Sequence, residues 1–64
     1  MATVGEILKQ KRQEQNLTLH DVSEVTKISS NFLDAIENNA FKKLPRGVFP
    51  KMFIRSYARH LGLD

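Results

Sequence analysis

Four helix-start signals follow one another along this chain, and no strand signal competes with them. Thr3-Val4-Gly5-Glu6 has the form of a capping box: the Thr3 hydroxyl accepts from the backbone N–H of Glu6, and the Glu6 carboxylate reaches back to the N–H of Thr3. Thr18 repeats the pattern, with Asp21 three residues on. Ser29 is a third N-cap. Pro50 suits a first helical turn, where its missing N–H would have no partner anyway. Sustained apolar–polar alternation is absent, as are Asn-Gly and Asp-Gly hairpin turns. The fold class expected is all-α.

The first helix is expected to bury Val4, Ile7 and Leu8, with the stems of Lys11 and Gln15 continuing that side. Glu6, Lys9, Gln10, Gln13 and Glu14 then point outward. Asn16 provides a left-handed stop, because its side chain tolerates positive φ, and Leu17 anchors the turn. The second helix, about two turns long, offers Leu19, Val22 and Val25 inward, and small Ser23 lets a neighbour come close. Thr26-Lys27-Ile28-Ser29 breaks it, with Ile28 packing inward. The third carries Phe32, Ala35 and Ile36 on its buried side, with Leu33 at the edge, and ends at Asn38-Asn39. Two short helices joined by a turn of about three residues, after a longer first helix, make a helix-turn-helix. Phe41 and Leu44 pin the next loop, and Pro45 and Gly47 shape its approach to the fourth helix.

That fourth segment, from Val48 to a stop at Gly62, has two apolar faces where a surface helix usually has one. At about 100° per residue, Ile54, Tyr57, Ala58 and Leu61 share the face that lies on a core. Phe49, Met52 and Phe53 form a second face, with Tyr57 at the boundary. Lys51, Arg55 and Arg59 fill the far arc. Either a fifth helix or an oligomer neighbour covers the second face, or it is offered to a partner. Aromatic anchors surrounded by Arg and Lys have the composition of interface hot spots. With Arg46, Lys51, Arg55 and Arg59 around Phe49, Met52, Phe53 and Tyr57, the partner groove should be apolar inside and acidic at its rim. Leu63 and Asp64, after Gly62, read as the approach to a fifth helix capped by Asp64, so the chain is expected to continue.

Catalytic chemistry finds little to work with. The 64 residues contain no cysteine, which removes disulfides and thiolate metal sites. His20 and His60 fall on different helices, no serine has an evident base, and there is no Gly-rich phosphate loop. No enzyme, cofactor or metal site is expected. No apolar run approaches a membrane span, and the N-terminus lacks a signal-peptide pattern.

Charge is unevenly distributed. Residues 1–40 hold four cations against six acids, whereas residues 41–64 hold Lys42, Lys43, Arg46, Lys51, Arg55 and Arg59 against Asp64 alone. A basic end can meet nucleic acid, an anionic membrane or an acidic protein. For DNA, the second motif helix would enter the major groove. Ser29, Ser30 and Asn31 at its start could bond to bases, with Lys27 in the preceding turn. The helix itself contains Asp34 and Glu37 and no Lys or Arg, so the commonest specific contact, a cation to guanine, has no candidate. A DNA-binding regulator is the alternative reading. Weak phosphate or anionic-lipid contact through the basic end also stays open.

Thr3 to Leu8, followed by Leu17-Thr18-Leu19, resembles the opening of lambda-repressor-type helix-turn-helix domains. The segments Glu37-Asn38-Asn39-Ala40-Phe41-Lys42-Lys43-Leu44-Pro45, Phe53-Ile54-Arg55-Ser56-Tyr57-Ala58 and Leu61-Gly62-Leu63-Asp64 are more specific. They resemble the cytoplasmic N-terminal domain of the RodZ family of bacterial cell-shape proteins. The resemblance implies a compact four- to five-helix domain over residues 1–64, the N-terminal cytoplasmic part of a longer, single-pass inner-membrane protein. It also implies docking on the actin-like MreB through the fourth helix, linking the cytoskeleton to the membrane and the wall-synthesis machinery. In the family the binding surface includes aromatic residues of that helix, at positions matching Phe49, Phe53 and Tyr57. Phe53 stands where relatives often carry tyrosine, and Lys27 replaces the glycine common in repressor turns.

Overall fold

The computed structural model describes residues 2–47 and 49–63, and it is helical throughout. Helix α1 spans Val4–Glu14, α2 Leu19–Thr26, α3 Ser30–Glu37 and α4 Pro50–His60, with a 3-10 turn at Phe41–Lys43 before α4. No strand occurs among the described residues. Val48 and Asp64 lie outside them, and with Asp64 the expected cap of a fifth helix.

The helix starts are as the sequence spells them. The N–H of Glu6 donates to Thr3 Oγ1 at 3.2 Å, and the N–H of Thr3 donates to Glu6 Oε1 at 3.2 Å. At α2 the reciprocal pair is Asp21 N–H to Thr18 Oγ1 (3.0 Å) and Thr18 N–H to Asp21 Oδ2 (2.9 Å). The backbone bond from Thr18, and then its hydroxyl, hold the Asp21 carboxyl below the ordinary aspartate range. Ser29 caps α3 through a 3.3 Å bond from the N–H of Asn31.

Three helices stop alike. Asn16, Asn39 and Gly62 take left-handed φ values of 58°, 57° and 84°. The next N–H then turns back five residues, from Leu17 to Arg12 (3.1 Å), Ala40 to Ala35 (2.7 Å) and Leu63 to Ala58 (2.9 Å). These bonds satisfy carbonyls that the helix end leaves free. Helix α2 ends on Lys27, itself left-handed at φ 63°.

The core is built from Leu8, Val22, Ile28, Leu33, Ile36, Tyr57 and Leu61, so that all four helices and the α2–α3 turn contribute. Phe41 and Leu44 pack against it and pin the 3-10 turn, as expected. Three helices are rolled differently from the expectation. Val4 and Ile7 are exposed, because α1 turns Gly5, Leu8 and Arg12 inward instead. The cause is Gly5. A Cβ there would lie 2.4 Å from the Glu37 carbonyl oxygen and 2.5 Å from that of Ile36, so only glycine lets α1 approach the end of α3 this closely. Its N–H also meets Asn39 Oδ1 at 3.3 Å, and Asn39 Nδ2 donates to Thr3 Oγ1 at 2.8 Å.

Val25 is 62% exposed. The inward stripe of α2 is Leu19, Val22, Ser23 and Thr26, with the Thr26 hydroxyl donating to the Val22 carbonyl at 2.8 Å and accepting from the Ile28 N–H at 3.2 Å. On α3, Leu33 is at the centre of the buried face and Phe32 at its edge, the reverse of the sequence expectation.

Replacing Gly5 by Ala forces a methyl onto backbone atoms that cannot swing away. The substitution should destabilise the domain by about 2 kcal/mol, the usual cost of overpacking, in urea unfolding followed by circular dichroism. A loss below about 0.5 kcal/mol would show that α1 is not held against α3 at this point.

Candidate functional site

Helix α4 carries the residues singled out in the sequence, and its rotational setting decides what each can do. Tyr57 and Leu61 are buried, and Ile54 and Ala58 are partly buried beside them, so the core face is the one read from the periodicity. Phe53 lies about 90° round the helix from the centre of that face, and Met52 about 170°. Phe53 is accordingly half-buried, its ring stacked on Phe32 with centroids 6.1 Å apart and planes 24° apart. Met52 is 67% exposed, and Phe49, the residue before the helix, is 70% exposed.

Tyr57 is no contact residue. It has no exposed surface, and its hydroxyl donates to Glu37 Oε2. Glu37 is itself only 5% exposed and receives Arg12 in a forked contact, Nε to Oε2 at 2.8 Å and Nη2 to Oε1 at 3.1 Å. Arg12 Nη1 donates in addition to the Leu17 carbonyl at 2.8 Å. A buried carboxylate is tolerable only when so matched. Burial, and then the bond to Glu37, push the Tyr57 hydroxyl well above the ordinary tyrosine range. The bond to Glu37 likewise raises Arg12. The sequence reading missed this network, because its members are 25 and 20 residues apart and lie on three helices.

Between the N-terminal half of α4 and the α2–α3 turn runs an open groove of about 410 Å³. Phe49, Met52, Phe53 and Ser56 form one wall; Thr26, Lys27 and Ile28 form the other, with Gly47 at the end. Lys27, read in the sequence as a DNA contact, therefore faces the same groove as the greasy residues of α4. Arg55 and Arg59 line a smaller depression, of about 240 Å³, with Met52 and Ser56. Lys51 and Arg46 are exposed but line neither, Arg46 lying in the turn before α4. Among the described residues, ion pairs involve only Lys11, Arg12 and His20 as cations, so none of the six basic residues after Ala40 has a carboxylate within reach.

At the start of α3, Asn31 is exposed, Ser30 is partly buried, and the Ser29 hydroxyl is committed to its cap. Of the two acids that the sequence places on this helix, Glu37 is buried and neutralised by Arg12, which leaves Asp34 as the exposed one. His20 faces Glu24 at 3.3 Å, and no three potential metal ligands converge among the described residues.

A family model described as a helix-turn-helix domain matches residues 7–64. The chain is 34% identical over 62 residues to the cytoskeleton protein RodZ of Streptococcus pneumoniae, covering 97% of this chain and 22% of that protein. It is 40% identical over 60 residues to an uncharacterized protein of Haemophilus influenzae, covering 92% of this chain and 20% of the relative. The chain thus spans about a fifth of the length of these curated relatives. Among solved structures, YmfM of Staphylococcus aureus, a candidate DNA-binding membrane protein, superposes with a TM-score of 0.94 at 38% identity, over 98% of this chain and 77% of the other. No helix among the described residues is long and apolar enough to cross a membrane.

Two substitutions probe the buried network. Arg12→Met leaves the Glu37 carboxylate without its cation and should cost about 3 kcal/mol or more in chemical denaturation. Tyr57→Phe should cost about 1.5–3 kcal/mol at neutral pH, the value of a hydrogen bond to a charged group. Because the folded Tyr57 holds its proton above the unfolded value near 10, its contribution is complete below pH 10 and lost as pH rises further, at up to about 1.4 kcal/mol per unit. The alkaline stability slope of Tyr57→Phe should be shallower than wild type by that amount. Parallel slopes would contradict the assignment.

Proposed function

Since the chain belongs to the helix-turn-helix domain family, and is similar over nearly its whole length to a RodZ cytoskeleton protein, we propose that it is a non-enzymatic docking domain that engages the actin-like MreB through α4. The observation that carries this reading is the pair Phe49 and Met52. Both are large and apolar, both are about two-thirds exposed, and both stand beside an open groove at a basic helix face. A domain this small gains stability from every apolar group it hides. Two left outside, next to a preformed concavity, fit a surface whose cover comes from another molecule. Phe53 supports the groove from within through its stacking on Phe32, and Lys51, Arg55 and Arg59, exposed and without an ion-pair partner among the described residues, supply charge for carboxylates at the partner's rim.

The domain would then be the cytoplasmic N-terminal part of a longer membrane-attached protein, joining filament to membrane. Reading DNA bases through α3 would need cations there, and its exposed charge is Asp34.

Because Phe49 and Met52 contribute little to the core, Phe49→Ala/Met52→Ala should fold normally. With purified MreB, calorimetry should show affinity lowered about 30-fold or more, as for central anchors. Unchanged binding by the folded double variant would reject the assignment, and so would absence of binding by the wild-type domain.

A further inference from the structure

The basic residues of this domain extend well beyond the groove beside α4, which only Lys27 among them lines. Lys27 lies on the α2–α3 turn, Lys42 and Lys43 on the 3-10 turn, Arg46 on the following loop, and Lys51, Arg55 and Arg59 on α4. All seven are exposed, and none is in an ion pair among the described residues. From Asn38 to Leu63 the chain has no acid at all. On α4 the cations repeat every fourth residue, so Lys51, Arg55 and Arg59 form one stripe about 12 Å long. Next to that stripe stand Phe49 and Met52, the two most exposed large residues of the segment, with Lys27 across the groove on their other side.

We infer that this face lies on an anionic lipid bilayer, with the cations at the phosphate level and Phe49 and Met52 sunk among the headgroups. Apolar side chains flanked by lysine and arginine are what an interfacial surface requires: the cations gather negative lipid, and the apolar groups gain by leaving water. A nucleic-acid backbone would satisfy the cations but give Phe49 and Met52 nothing to enter. Charge complementarity with a planar polyanion accounts for the helix stripe together with Lys27 across the groove. Phe49 and Met52 also belong to the docking surface proposed above, so lipid and protein partner exclude one another at this face: the domain rests on the membrane until its partner lifts it off.

The chain has no tryptophan, and Phe49 is exposed enough to replace, so Phe49→Trp makes a clean reporter. With vesicles of phosphatidylcholine and phosphatidylglycerol, its emission should shift to the blue and the protein should co-sediment; with phosphatidylcholine alone it should do neither. Lys51→Gln/Arg55→Gln should weaken co-sedimentation by about 25-fold, roughly fivefold per cation, and raised salt should weaken it further. Met52→Ala should weaken it with the salt dependence unchanged. Co-sedimentation without a blue shift, matched by equal affinity for duplex DNA, would overturn the inference in favour of plain polyanion attraction. Failure to bind anionic vesicles would overturn it too, leaving the protein-docking reading to stand or fall on the vesicle-free titration.

Discussion

The buried Glu37 carboxylate is the constraint around which the domain closes. It sits at the end of α3 and takes the Arg12 guanidinium from α1 on one side and the Tyr57 hydroxyl from α4 on the other. A charge so far from water is costly unless its lone pairs are filled, so three helices must arrive together in one geometry. Among the described residues no buried side-chain polar atom is left without a partner. The Gly5 contact makes this possible by letting α1 sit directly against the carbonyls that end α3.

That geometry also orients the surface. Once Tyr57 points inward to reach Glu37, helical geometry turns Met52 almost directly away from the core and leaves Phe53 at its margin. The exposure of Met52 thus follows from the inward setting of Tyr57 on the opposite side of the same helix. Phe53 then serves two purposes, closing the core against Phe32 and forming part of the groove's wall. The aromatic positions that the family resemblance groups as one binding surface are divided by burial: Phe49 outside, Phe53 half-covered, Tyr57 inside.

The helix-turn-helix arrangement also shapes the groove beside α4. Its turn forms one wall of the α4 groove, through Thr26, Lys27 and Ile28, while its second helix offers serine, asparagine and Asp34 rather than cations. The features that would make a base reader and those that make a docking surface meet at Lys27. Charge and exposed apolar area both lie on the α4 side.

What the sequence determined by itself is the local grammar: where each helix starts and stops, the helix-turn-helix spacing, and the inward face of α4. Those signals act within about five residues, as capping boxes, left-handed stops at Asn16, Asn39 and Gly62, and a dense apolar stripe. The roll of α1, α2 and α3 about their axes was decided only in the tertiary structure. Their apolar residues are too few to define a single inward direction, so a glycine contact and Thr26 settled the matter, leaving Val4, Ile7 and Val25 in water. The Arg12–Glu37–Tyr57 network is the extreme case. An arginine, a glutamate and a tyrosine far apart in sequence give no sign of one another, and only folding brings the partly buried Arg12 and the buried Tyr57 onto the buried Glu37.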